Sequence, residues 1–373
     1  MKIIADKNML LLNETFGRHG DVQLVDGRQI SRADLRGADV LLVRSITRVD
    51  RRLLQGTSIR FVGSATIGVD HLDTAWLEAN NIAWASAPGC NASSAAQWAL
   101  AMMWLACKRS NIDFKQQRVG IIGRGNVGRR LEHLLKALEI PVMACDPPLQ
   151  ASGVKDLVSM QDISANSIVS LHVPLTRDGN HPTEALLDSK FLNSLKPETI
   201  VVNSSRGRVI DGSTLLEQLQ SGRLRAALDV WPDEPYISRD WLQSTCVATP
   251  HVAGYSIEGK QAGTEMIYAA FCRRFAMAAG DPPKPQLEDV IVHYPTHAAA
   301  DQVLQQAIQS SCPVERDDTA LRAASSPGNM ANCVKIDSLR ANYPVRREFK
   351  SHRIEARPET EAAQLRELGF KTE

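Results

Sequence analysis

One stretch limits the fold of this chain more than any other: residues 118–146, RVGIIGRGNVGRRLEHLLKALEIPVMACD. A short apolar run, 119–122, is long enough for one buried strand. Gly123, Gly125 and Gly128 follow in the pattern G-x-G-x-x-G, with Asn126 and Val127 inside it. Leu131, Leu134, Leu135 and Leu138 then recur at helical spacing, and a second apolar run, 140–145, ends in Asp146. Each part has a physical task in holding a dinucleotide. Gly123 permits the tight strand-to-helix turn, Gly125 lets backbone approach a pyrophosphate, and Gly128 lets helix and sheet come close. The helix N-terminus offers unpaired N–H groups and a positive dipole end. Asp146 lies eighteen residues beyond Gly128, where an acceptor for ribose hydroxyls is expected. Pro147 and Pro148 follow it, with no Arg or Lys to pair a 2′-phosphate, so NAD is favoured over NADP. Arg124 and Arg129 are the nearby cations that weigh against that preference.

The rest of the chain fits an α/β protein built around this unit. Apolar runs at 3–4, 22–25, 40–43, 59–62 and 82–85 read as strands of a first parallel sheet, complete before the glycine-rich turn. Residues 92–109 read as a long, mostly buried helix whose Met and Trp residues are core. Four further runs, 168–172, 199–203, 224–230 and 246–249, continue the alternation. Each ends in polar residues, as a doubly wound sheet presents them at its carboxyl edge. A helix over 257–279 is expected to return to the first unit, and Asp281-Pro-Pro-Lys-Pro285 reads as a linker. Residues 286–373 then form a small α+β domain suited to interaction rather than chemistry.

Composition excludes several function classes. A formal net charge of +1 on 373 residues gives no one-signed field for nucleic acid or an anionic membrane. No apolar run is long enough to span a bilayer. The N-terminus has no signal-peptide core and reads as a strand. Seven Cys without a C-x-x-C pair suit reduced thiols rather than disulfides or zinc. A soluble cytoplasmic protein without a metal is the expectation.

Three residues at separate strand ends carry candidate chemistry: Arg206, Glu234 and His251. Oxidising a 2-hydroxy acid removes a hydride from C2 and a proton from the hydroxyl. A His can take that proton, and a carboxylate beside it raises its basicity and fixes its tautomer. An Arg can hold the substrate carboxylate through two prongs. Taken singly, each has a duller explanation: a solvated turn Arg, a surface Glu, a structural His. Loops 44–48 and 63–70, at strand ends of the first unit, are the substrate candidates there, against a reading as ordinary turns.

Together, Gly123-Arg-Gly-Asn-Val-Gly128, Asn203-Ser-Ser-Arg-Gly207, Asp229-Val-Trp-Pro-Asp-Glu-Pro235 and Pro250-His-Val-Ala-Gly254 resemble the D-isomer specific 2-hydroxyacid dehydrogenases in order and spacing. Gly68-Val-Asp-His-Leu-Asp73 is similar to that family's N-terminal motif, and the likeness covers roughly residues 1–280. The resemblance implies Arg206 as the substrate-orienting residue, His251 as general acid/base and Glu234 as its partner. It implies a Rossmann-like NAD domain at 92–255 and a flavodoxin-like substrate domain from 1–91 and 256–280. Arg44-Ser45, Ala65-Thr66, the Tyr255-Ser-Ile-Glu-Gly259 run and the C-terminal extension resemble a branch that acts on a phosphorylated 2-hydroxy acid.

That likeness implies substrate contacts from Ser45, Thr66 and Tyr255. It implies NAD contacts from Asp146, Asp229 and Gly254, and from Val173, where a Thr is usual. It also implies a homodimer formed through residues 286–373. Arg44 and Arg48 are candidate phosphate donors, and Arg340, Arg346 and Arg347 are candidates to reach a partner's site, against the more common reading as solvated surface arginines. Two other readings stay open: a dehydrogenase of phosphoglycerate or glyoxylate/hydroxypyruvate, and an NAD-sensing binding protein of the same fold.

Overall fold

The computed structural model describes residues 1–280, 287–294, 298–325, 333–355 and 358–372. The expected linker at 281–285 lies outside them. The chain divides into two compact units, Met1–Asn91 with Ser256–Glu288, and Ala92–Tyr255 with Asp289–Glu373.

In the first unit, β1 (Lys2–Asp6), β2 (Asp21–Val25), β3 (Val40–Val43), β4 (Phe61–Ser64) and β5 (Ala83–Ala85) form a parallel sheet in the order β2-β1-β3-β4-β5. Every residue of β3 and β4 is buried, as a strand covered on both faces requires. One face carries Phe16, Phe61, Ile267 and Phe271, the last two from the helix Ile257–Arg274. The other carries Leu35, Leu54 and Leu77. The returning helix stops short of the expected residue 279. Ala276 turns left-handed at φ 51, and the Met277 N–H closes back on the Cys272 carbonyl at 2.9 Å. This closure satisfies the last carbonyls and ends the helix.

The second unit holds β6 (Val119–Ile122), β7 (Val142–Cys145), β8 (Ile168–Leu171), β9 (Ile200–Asn203) and β10 (Arg225–Leu228). After them come β11 (Tyr236–Ser238) and β12 (Val247–Ala248). Six of these make a parallel sheet, β12-β10-β9-β8-β6-β7. The strand order reverses beside β6, and the carboxyl ends there are where a doubly wound sheet takes its ligand.

The C-terminal segment adds β13 (Val290–Val292), β14 (Cys333–Lys335), β15 (His352–Ile354) and β16 (Lys371–Thr372). It does not stand as a third compact unit; it shares the core of the second. The reason lies in the helix Ala92–Arg109. Fourteen of its eighteen residues are buried, so both of its faces must be covered. The six-stranded sheet covers one. The helices Ala300–Ser311 and Val314–Ala323 cover the other with Val303, Leu304, Ala307, Ile308 and Val314. Each buried Val, Leu or Ile among them contributes about 1.5–3 kcal/mol.

The same segment closes the sheet edge. Asp318, buried, accepts the Ala248 N–H of β12 at 2.7 Å. It also takes Arg109 at 2.7 Å and Arg322 at 3.0 Å. An exposed strand edge is thereby given a partner.

Candidate active site

The glycine-rich turn follows β6. Gly123 sits at φ 90, and a Cβ there would lie 2.6 Å from the His172 carbonyl oxygen and 2.8 Å from a Val173 methyl. Val173 therefore walls the turn. A Cβ on Gly128 would lie 2.0 Å from the Gly123 carbonyl oxygen, so helix Gly128–Ala137 can start only with a glycine. Gly125 differs: a Cβ there meets nothing within 4 Å. Among the described residues no hydrogen-bond acceptor serves the N–H groups of Gly125, Asn126, Val127 or Gly128. Open space beside unspent N–H donors at a helix N-terminus suits a pyrophosphate.

Asp146 ends β7 and shapes this corner. One of its oxygens accepts the Arg124 N–H at 2.8 Å and the other caps the next helix at Leu149 N, 3.1 Å. The two cations that complicated the cofactor choice are engaged elsewhere. Arg124 makes a two-pronged contact with Glu132 at 2.5 and 3.0 Å, and Arg129 donates to Asn126 Oδ1 at 2.6 Å.

The chemistry-bearing loops follow β9, β10 and β12. Asn203, at the end of β9, donates its amide to the Arg206 carbonyl at 2.8 Å and accepts from the Ser205 N–H at 3.0 Å. The Arg206 turn is thus fixed by the residue that opens it. Gly207 lies so close to the Trp231 carbonyl that a Cβ would be 2.0 Å from its oxygen. Glycine here brings the Arg206 turn against the loop that carries Glu234. Glu234 accepts the Trp231 N–H through Oε1 at 2.9 Å, and its Oε2 lies 2.7 Å from His251 Nδ1. Burial alone would raise the Glu234 carboxyl. The His251 charge, its hydrogen bond and the Trp231 N–H outweigh that and hold it below its ordinary value. His251 Nε2 makes no hydrogen bond among the described residues.

His251 has φ 57, a backbone position that costs a non-glycine residue about 1–3 kcal/mol. Asp229 holds it there. This carboxylate is fully buried and accepts from Thr249 Oγ1 at 2.5 Å, Val252 N at 2.9 Å and Ala253 N at 2.9 Å. Burial raises its pKa, against the His251 charge and these three donors. The resemblance implies a cofactor contact from Asp229; its carboxylate accepts from the turn around His251. Gly254 lies in the next turn, closed by the Tyr255 N–H on the Val252 carbonyl at 2.9 Å.

The C-terminal arginines make contacts within their own chain. Arg346 is buried in its own chain, 4.5 Å above the Trp98 ring. It donates to Ser94 Oγ and, at 2.5 Å, to the Ala253 carbonyl. Arg347 donates to Ser351 Oγ at 2.9 Å. Arg340 donates to Tyr255 Oη at 3.1 Å, also within the chain. The Arg340 and Arg346 contacts carry no local signal in the sequence, because 85 to 252 residues separate the partners.

In the first unit, Thr66 Oγ1 lies 2.8 Å from Ser64 Oγ, which in turn meets His71 Nε2 at 2.9 Å. Ser45 is exposed between Arg44 and Arg48. Both arginines are paired, Arg44 with buried Asp6 at 2.9 Å and Arg48 with Asp50 at 3.0 Å.

Residues 88–253 match the family described as D-isomer specific 2-hydroxyacid dehydrogenase, NAD binding domain. Over its full length the chain is 41% identical to an erythronate-4-phosphate dehydrogenase of Marinobacter nauticus, covering 99% of that protein. The chain belongs to the erythronate-4-phosphate dehydrogenase family. A second member, from Cellvibrio japonicus, is 40% identical over all of both chains. Residues 283–369 match a domain of unknown function, DUF3410.

Among solved structures, the NAD-bound 3-phosphoglycerate dehydrogenase of Entamoeba histolytica has a TM-score of 0.65 at 19% identity. It covers 74% of this chain and 95% of its own. The D-lactate dehydrogenase of Aquifex aeolicus with NAD and lactic acid has 0.63 at 19%, covering 74% and 96%. These likenesses establish the fold. The protein is an NAD-dependent oxidoreductase of the 2-hydroxyacid dehydrogenase type.

Proposed function

We propose that the chain oxidises 4-phospho-D-erythronate to (R)-3-hydroxy-2-oxo-4-phosphooxybutanoate, a step of pyridoxal 5′-phosphate biosynthesis. The observation that carries this reading is the 2.7 Å pairing of His251 Nδ1 with Glu234. It commits Nδ1 to the carboxylate and leaves Nε2 to take the proton of the substrate hydroxyl. Glu234 then stabilises the imidazolium as it forms. NAD, when bound, accepts the hydride from C2. Arg206 is assigned to the substrate carboxylate and the developing carbonyl oxygen, with substrate contacts from Ser45, Thr66 and Tyr255.

Gly123, Gly125, Asn126, Val127 and Gly128 are assigned to the pyrophosphate, Asp146 to the ribose hydroxyls, and Val173, Asp229 and Gly254 to further contacts with NAD, that of Val173 through its backbone. Arg124, held by Glu132, leaves the Asp146 carboxylate uncompensated by a guanidinium, which supports NAD over NADP. We place the protein in the cytoplasm as a homodimer formed through residues 286–373. The exposed apolar pair Val290 and Ile291 on β13 supports that surface.

The test is NADH formation with 4-phosphoerythronate, 3-phosphoglycerate and glycerate side by side. Keto-product formation is followed in a parallel run with a 2-oxo acid acceptor, so that retained NADH does not hide turnover. Preference for 4-phosphoerythronate is expected. Turnover of 3-phosphoglycerate or glycerate alone would keep the dehydrogenase and discard the pathway; NAD binding without any turnover would discard the enzyme.

A further inference from the structure

We propose that Arg340 is the residue that binds the substrate's phosphate, supplied by the C-terminal segment of the same chain. The assignment rests on the phosphorylated hydroxy acid proposed above.

Placement comes first. β14 pairs antiparallel with β11, Tyr236 opposite Lys335, and β11 begins two residues after Glu234. The Ile336 N–H adds a bond to the Pro235 carbonyl at 3.1 Å. The loop bearing the His251 partner and the helix Asp337–Ala341 are thus joined by backbone hydrogen bonds. Arg340, in that helix, reaches Tyr255, with Nε on the phenol oxygen at 3.1 Å and the guanidinium 5.6 Å from the ring centre. Tyr255 in turn packs edge-on against Tyr343 at 5.6 Å, and Tyr343 is anchored on Asp317 at 2.6 Å.

Charge comes second. Arg44, Arg48, Arg109, Arg124, Arg316 and Arg322 each have a carboxylate within about 3 Å. Arg340 is partly buried and makes no ion pair among the described residues; only its Nε is spent. Burial disfavours its charge, yet the neighbouring Tyr255, Glu234 and Asp229 oxygens keep it firmly protonated. A guanidinium enclosed beside a reaction centre, with both terminal NH2 groups unspent, is completed by an anion. The substrate carboxylate is assigned to Arg206, which leaves the phosphate. A planar fork suits two phosphate oxygens better than an ammonium would.

The experiment compares erythronate with its 4-phosphate as substrates of wild type, Arg340→Ala and Arg340→Lys, with NAD affinity measured separately. In Arg340→Ala we expect KM for the phosphorylated substrate to rise about a hundredfold. The ratio of kcat/KM for the 4-phosphate to that for erythronate should fall at least about tenfold, the NAD Kd should stay within about threefold, and Arg340→Lys should recover part of the loss. An unchanged ratio of kcat/KM between the two substrates would overturn the assignment. So would an equal loss on both, which would make Arg340 a support for Tyr255 only. Should Arg340→Ala not fold, Arg340→Gln is judged by the same ratio. Wild-type indifference to the phosphate would instead sink the functional reading.

Discussion

Two turns in the second unit do similar work by opposite means. The Gly123–Gly128 turn is built from its own residues. Gly123 takes φ 90 without strain, and Gly128 accepts a contact that any Cβ would forbid. The turn at His251 has no such licence. A histidine stands at φ 57, and the contacts that hold it come from β10, from the helix Ala92–Arg109 and from the C-terminal segment. One turn is specified by residue type and the other by imported hydrogen bonds. The cofactor turn tolerates only glycine at Gly123 and Gly128 because the protein's own backbone occupies the space a Cβ would need. A proton-transferring turn must keep its side chain, so the strain is offset elsewhere.

The largest expected effect separates the two. His251→Ala should lower kcat by about 10²–10⁴ with the NAD Kd little changed. An unaffected kcat would remove His251 from proton transfer.

A crossed pair of variants sharpens the contrast. Gly123→Ala places a methyl 2.6 Å from a carbonyl oxygen at a left-handed position, and should weaken NAD binding about tenfold or more. Arg346→Ala removes a buried cation from the Trp98 ring and from the Ala253 carbonyl. It should lower stability by about 2–4 kcal/mol and kcat by about tenfold, with NAD binding retained. Calorimetric NAD titration beside steady-state kinetics reads both. If Arg346→Ala lost NAD affinity while keeping kcat, the C-terminal segment would not support the His251 turn.

The smallest effect concerns His172, whose carbonyl walls the glycine turn. Burial pushes its imidazole from 6.5 down to about 4. Between those values the unfolded chain takes up a proton that the folded chain does not. Stability is therefore complete above about pH 6.5 and declines as pH falls towards 4. His172→Gln should flatten the fall in urea midpoint between pH 7 and pH 5. An equal fall in both proteins would acquit His172.

Much of the site was legible because strand, glycine and helix signals are local. The βα order of both sheets and the glycine turn follow from residue types in sequence order, whereas the Glu234–His251 pairing came from the resemblance of motifs. Where elements ended was less legible. The helix after Ser256 closed at Ala276 because a backbone turn satisfied its carbonyls, with no glycine to announce it.

The sequence by itself determined that this chain makes two α/β units and binds a dinucleotide, because periodicity and glycine geometry act over a few residues. Only the tertiary structure decided what Asp229, Arg346 and Arg340 do. Asp229 is an acceptor for a strained turn, Arg346 a buried clamp on that turn, and Arg340 a cation at Tyr255. Their partners lie up to 252 residues away, and a charged side chain carries no local sign of which distant group will neutralise or hold it.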